Sequence, residues 1–246
     1  MKKSFLFICL CSLLLSACHI CDIKINGGAM IEPSENIVKK EYPLKNFDKI
    51  DIDVMANVKF IQSTDGKSRV VLSAPENYVE LFSFEVDGSE LEATHTRSGI
   101  NLDTEHVDVT IYSPTLKSLE NDGLAVIEMT HLKTDRLEVD NTGVGSMYLT
   151  GLDVKELMVD CSGVGSIELG GKADKAELEC SGVGSIEAQQ LKAKSVRGEV
   201  SGVGGIKCYA IERIDAEVSG VGSLEYGGSP KDKRFERTGV GSINAL

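Results

Sequence analysis

From residue 119 to the end of the chain, apolar and polar positions alternate with a period of two. A short glycine motif interrupts them every 18 to 20 residues. The motif is Ser or Thr, then Gly-Val-Gly, then Ser or Gly, then an aliphatic residue or Met. Its first glycines are Gly143, Gly163, Gly182, Gly202, Gly220 and Gly239, and its second are Gly145, Gly165, Gly184, Gly204, Gly222 and Gly241. A decayed copy, Asp122-Gly123-Leu124-Ala125-Val126-Ile127, precedes the first by one period. Alternation at period two is the mark of half-buried strands, and a glycine pair at a fixed interval marks a recurring corner.

Aligned on the first glycine, the repeats form columns. Two residues before it stand Asn141, Cys161, Cys180, Val200, Val218 and Arg237. Four before it stand Val139, Val159, Leu178, Gly198, Ala216 and Phe235. These mostly apolar columns lie two apart and share one strand face. The column between them is acidic in every copy: Asp140, Asp160, Glu179, Glu199, Glu217 and Glu236. Four residues after the glycine comes a second apolar column, from Met147 to Ile243.

A single unit buries too few side chains to offset the ordering of its backbone, so units must stack and share their buried faces. Nineteen residues are too few for a propeller blade, and the leucine-rich pattern is absent. The sequence predicts an all-β fold, a right-handed parallel β-helix (β-solenoid) with 18–20-residue turns. An antiparallel meander with Gly-Val-Gly hairpins explains the alternation equally well, but not the near-identical columns. In a solenoid the corner glycines serve a positive φ or a close backbone approach. Val164 and Val183 are expected to plug the corner, and Ser166 and Ser185 to hydrogen-bond along the stack. Cys161 and Cys180 fall in one column of adjacent units. Alike-oriented side chains suit a disulfide poorly, so buried free thiols are expected.

The N-terminal half reads differently. Lys2 and Lys3 precede an apolar run, Phe5 to Leu15, too short to span a bilayer permanently. It ends in Leu-Ser-Ala-Cys, which resembles a bacterial lipobox with Cys18 as the lipidated residue. His19 follows the cysteine, which by the usual sorting rule points to an outer-membrane lipoprotein, facing either the periplasm or the cell exterior. The expected organisation is a signal peptide at 1–17, a lipidated tether at 18–46, an N-terminal β segment at 47–118 and the repeats at 119–246. Tyr78 to Phe84 reads as either a short helix or a strand.

Composition narrows the function. With 26 basic and 38 acidic residues the formal net charge is −12, so nucleic acid is a poor partner. No zinc-type Cys/His spacing occurs after the signal except Cys18-His19-Ile20-Cys21, whose first member is the lipid anchor. His95, His106 and His131 are scattered and read as surface residues. Gly-Val-Gly-Ser fits neither a nucleophile elbow nor a dinucleotide fingerprint. No catalytic residue, resident metal or cofactor is therefore expected. Arg136, Lys155, Lys175, Lys194 and Arg213, seven or eight residues before a glycine, are placed to offset the acidic column.

The stretches FDKIDIDVMANVKFIQ from Phe47, VDVTIYSPTLKSLENDG from Val107, the repeated SGVGSI and VGSLEYGGSPKDKRFERTGVGSI from Val221 carry a resemblance. They resemble the head-GIN-domain family of "putative auto-transporter adhesins" common in Bacteroidetes. The resemblance implies a β-helix-like fold, an envelope location and an adhesin-like role, and supplies no catalytic residues. The expectation is a lipid-anchored envelope solenoid with a binding or structural role. Its ligand would be a surface, a protein or a glycan, and the acidic column its candidate binding face. The alternative is a polysaccharide lyase or glycoside hydrolase built on a β-helix.

Overall fold

The computed structural model describes residues 30–246. The signal segment, Cys18, Cys21 and the first part of the expected tether lie outside the described residues. The strands before the repeats are β1 (Met30–Ile31), β2 (Ile37–Leu44), β3 (Lys49–Asp53), β4 (Met55–Gln62), β5 (Ser68–Pro75), β6 (Phe82–Asp87), β7 (Glu90–His95), β8 (Asn101–Leu102) and β9 (Asp108–Ser113). Those of the repeats are β10 (Ser118–Asn121), β11 (Leu124–Met129), β12 (Leu132–Asn141), β13 (Val144–Cys161), β14 (Val164–Cys180), β15 (Val183–Val200), β16 (Val203–Val218), β17 (Ser223–Gly227), β18 (Asp232–Arg237) and β19 (Ser242–Ala245).

The repeats form a β-solenoid of about six turns. Every pairing among β10 to β19 is parallel, and each corner glycine sits beside that of the next coil. A coil carries three ladder segments. In β13 these are 144–149, 152–154 and 156–161, paired with 164–169, 171–173 and 175–180 of β14. Met147, Leu149, Leu152, Val154, Leu157, Val159 and Cys161 of that coil point inward and are buried. The antiparallel alternative is thus excluded for the repeats.

Antiparallel pairing does occur, at the N-terminal end. β3 and β4 make the first full coil, pairing in parallel with β10 and β11 on one side and with β7 and β9 on the other. Beyond these, β5 pairs antiparallel with β9 and β2, and β6 with β7. A 3₁₀ helix, Glu76–Leu81, turns the chain between β5 and β6. The ambiguous Tyr78 to Phe84 stretch is therefore helix to Leu81 and strand from Phe82. Tyr78 is fully buried, and its hydroxyl donates to the Ile31 carbonyl at 2.5 Å.

Three further expectations are corrected. The segment read as a tether to residue 46 contains β2, whose eight residues all pair with β5. Its alternation is weak because neither face is fully buried: none of its eight residues is, so it carries little periodic signal. The corner valines do not plug the corner: Val164 and Val183 are more than half exposed and point outward. Finally, the apolar columns stop one coil early. Lys233, Phe235 and Arg237 pair in register with Ile214, Ala216 and Val218, yet every residue of β18 is exposed. Among the described residues β18 pairs only with β16, and charges at would-be core positions disfavour templating of another strand at its outer edge.

The corner also separates the two reasons offered for its glycines. At Gly143, Gly163 and Gly182 a Cβ would lie 2.2–2.3 Å from a carbonyl oxygen of the coil below. Close approach therefore selects these first glycines. At the second glycine the conflict is sharper: a Cβ on Gly165 would lie 1.7 Å from the Gly145 carbonyl oxygen, and its φ is +151°. Gly165→Ala is therefore expected to cost more than about 4 kcal/mol or to abolish folding. Gly170→Ala, whose Cβ would meet Thr150 Cγ2 at 3.6 Å, should stay within about 1 kcal/mol of wild type. Denaturant unfolding of the two variants checks this.

Candidate functional site

In-register stacking turns each column into a row along the solenoid. Asp140, Asp160, Glu179, Glu199, Glu217 and Glu236 are successive ladder partners, as expected. The structure lengthens the row. Glu120 pairs with Asp140, Asp51 with Glu120, Glu92 with Asp51 and Glu85 with Glu92. Ten carboxylates thus stand side by side at steps of about 4.8 Å. Glu120 could have been found, three residues before Gly123 of the decayed copy, and Asp51 lies in the alternating run after Phe47. Nothing local marks Glu92 or Glu85, because the coil that carries them has no corner motif.

The row is electrostatically unsettled. Burial, with Asp122 and Glu120 as the next causes, pushes Asp51 up to about 6. Burial, with Glu138 and Asp160 next, does the same to Asp140. Burial also raises Glu120, Asp160 and Glu179. One oxygen each of Asp51 and Asp160 is buried with no hydrogen-bond partner in the protein. Around Asp140, Asp160, Glu179 and Glu199 the surface forms a shallow depression of about 260 Å³ with Arg197 at its side.

The basic residues expected to offset the row are occupied elsewhere. Lys155 pairs with Asp135 at 2.8 Å, Lys194 with Asp174 at 2.7 Å, Lys175 with Glu177 at 2.8 Å and Arg213 with Asp232 at 2.8 Å. Arg136 reaches Glu156 at 3.7 Å. Among the described residues the row receives two ion pairs, Arg197–Glu199 at 3.6 Å and Arg234–Glu236 at 3.8 Å. The column eight residues before each corner glycine reads Asp135, Lys155, Asp174, Lys194, Glu212, Lys231, alternating in sign at every coil. The acidic row never alternates.

Other candidate chemistry resolves into structure. His106 and His131 are exposed, as read, but His95 is half-buried between strands. Its Nε2 accepts from the Met55 amide at 3.0 Å, and its Nδ1 lies 3.2 Å from the Leu81 carbonyl. Burial lowers its pKa. It is a neutral cross-brace rather than the surface residue expected. Cys161, Cys180 and Cys208 are free and buried. The column two before the corner begins with Asn121, which donates to Asn141 at 2.8 Å, and continues through Cys161 and Cys180. The hydrogen bond with Cys161, and then burial, push the Cys180 thiol far above its ordinary range, and burial lifts Cys208 to about 12. Ser146 and Ser166 hydroxyls lie 3.1 Å apart along the stack, so Ser166 bonds to the coil before it rather than to Ser185 as expected. Among the described residues no three His, Cys, Asp or Glu side chains converge as a metal site.

The family described as "Putative auto-transporter adhesin, head GIN domain" matches residues 46–230, and the chain belongs to it. A solved structure named as a putative adhesin from Bacteroides fragilis NCTC 9343 is 37% identical, with a TM-score of 0.84. That match covers 89% of this chain and 100% of the other. A structure named as a putative lipid binding protein from Parabacteroides distasonis ATCC 8503 is 22% identical with a TM-score of 0.69, over 89% of this chain and 100% of that one. A putative adhesin from Parabacteroides merdae ATCC 43184 is 19% identical with a TM-score of 0.65, over 88% and 99%. The last two show the fold alone. No curated protein matches the chain.

Two predictions follow from this geometry. Asp51 and Asp140 titrate near 6 in the native state against a reference of 3.8. The native protein therefore holds their protons between those limits, and their contribution to stability is lost as pH rises through 6. His95 acts oppositely, costing stability as pH falls below its unfolded value. The double variant Asp51→Asn with Asp140→Asn should melt about 2–5 °C above wild type at pH 7.5, a modest gain because both groups are partly solvated. The difference should narrow as pH falls below 6 and close only below about 3.8. Melting curves across this range decide it. For the cysteines, iodoacetamide should label Cys161, Cys180 and Cys208 only after unfolding. Peptide mapping without reductant should find no Cys161–Cys180 crosslink.

Proposed function

We propose that this head GIN domain protein is an envelope-anchored, adhesin-like binding protein that presents its acidic row to a cationic partner surface. The observation that carries the reading is a contrast within one fold. Stacking places like positions about 4.8 Å apart, so a column of one sign is unfavourable wherever it is not needed. The column eight before the corner meets this constraint by alternating Asp or Glu with Lys. The acidic row keeps one sign over ten positions and tolerates raised carboxyl pKa values and two unpartnered oxygens. Such a row is settled by basic side chains brought to it from outside.

A lysine- or arginine-rich protein surface supplies charges along a line, whereas a single cation reaches only neighbouring carboxylates. Calcium needs six to eight converging oxygens, and a flat strand face spreads them out. Lipid on Cys18 would hold the solenoid at the outer membrane, with the chain before β1 as the spacer. Membership of an adhesin family supports an envelope setting.

The test uses polylysine-coated and neutral beads. Wild type should bind polylysine and release as salt rises. Asp140→Asn, Asp160→Asn, Glu179→Gln and Glu199→Gln together should weaken binding by about tenfold. Replacing the exposed Glu32, Glu35, Glu80 and Glu105 by Gln removes the same charge away from the row and should cost less than about twofold. Equal losses would reduce the row to general net charge and overturn the proposal. So would turnover of envelope or host glycans by the wild-type protein. In cells, Cys18→Ser should move the protein from the membrane to the soluble fraction.

A further inference from the structure

The corner valines form the second uninterrupted row on the surface. Val144, Val164, Val183 and Val203 are ladder partners, and Val221 and Val240 continue the line through amide bonds to Gly202 and Gly220. Their exposure runs from 50% at Val144 to 87% at Val240. The residue two before each valine is Ser or Thr, and the residue two after is Ser or, once, Gly. No charged side chain enters this strip in six successive coils, in a chain of which 26% is charged. The corner geometry requires glycine on either side of the valine position, but nothing in the coil requires an aliphatic residue there. The side chain points to solvent, where Thr, Ser or Lys would serve as well.

We propose that this strip is a lateral contact through which two copies of the chain pair side by side, parallel to each other. Over the six uncharged coils the strip is about 13 Å wide and about 29 Å long. That is about 375 Å² on each copy, and about 750 Å² for the pair, the low end of weak, reversible complexes and far from an obligate dimer. The occupant is a second copy because of period. Only a surface with the same axial step can repeat one favourable contact at every coil, and a second copy has that step by construction. A two-fold pair then uses the same strip on both chains.

Charge selects the parallel arrangement. The acidic row runs along one side of the strip only, four residues before the valines. The outward column on the other side, Tyr148, Glu168, Glu187, Lys207, Glu225 and Asn244, is mixed and carries a net charge of −2 against −6 for the row over the same coils. An antiparallel pair would set the two acidic rows side by side. A parallel pair sets each row against the partner's mixed column, and brings valine to valine at equal height with both N-terminal caps at one end.

Cysteine crosslinking in cells expressing the full chain tests this, with wild type as the background. Val144→Cys and, separately, Val221→Cys should each give a homodimer with a short bis-maleimide, at least about five times the yield of Lys155→Cys at another corner. Adding Val183→Lys and Val203→Lys, both at solvent-exposed positions, should abolish it, while circular dichroism remains that of wild type. Dimers that form only when the Val144→Cys and Val221→Cys chains are co-expressed would show an antiparallel pair and overturn the orientation. Yields no greater than those of Lys155→Cys, or adducts mainly to a different protein, would overturn the second copy as occupant.

Discussion

The fold depends on how closely one coil lies on the next at the Gly-Val-Gly corner. There the carbonyl oxygen of one coil takes up the space that a Cβ in the following coil would need. This contact admits no side chain, so glycine recurs at both positions of every motif. It also fixes the register. Once the corners are superposed, the inward residues on either side of them meet their counterparts, with the register shifts between coils of unequal length taken up farther along, and the core becomes a set of mostly aliphatic columns with a short amide and thiol ladder beside the corner.

The same constraint acts on charge. Parallel in-register stacking brings like positions together whatever they are, so the surface must either alternate sign from coil to coil or accept repulsion. Most of the outward face alternates. Asp135 with Lys155, Asp174 with Lys194 and Asp153 with Lys172 are pairs between coils, not within them. Where alternation is given up, as along the acidic row, or charge is given up altogether, as along the valine strip, the departure stands against a background that shows what the fold otherwise does. Those two rows are therefore where binding is proposed.

The two ends are finished differently. At the N-terminal end, β2, β5 and β6 turn antiparallel and a 3₁₀ helix covers the last coil, with Tyr78 buried beneath it. In the last coil Lys233 and Arg237 occupy columns that are buried in earlier coils. A hydrophobic cap covers one end and charged side chains mark the other.

The repeats were legible because the corner writes itself into the sequence: glycine at a fixed interval, alternation on either side, and columns that hold their chemistry. From these the solenoid, its coil length, the six-residue acidic column and the buried cysteines could all be read. What the sequence could not supply was the path of the chain before residue 119. There the coil from Phe47 to Gln62 is sandwiched between one formed later by β7 and β9 and one formed later still by β10 and β11. Spatial order departs from chain order, so Glu92 and Glu85 join the row without any periodic signal. The outward turn of Val164 and Val183 follows from their even spacing to Asp160 and Glu179, but the burial of His95 and the pairing of β2 were likewise decided only in three dimensions. Each depends on which neighbouring strand, distant in sequence, occupies the adjacent space, and local alternation carries no record of that.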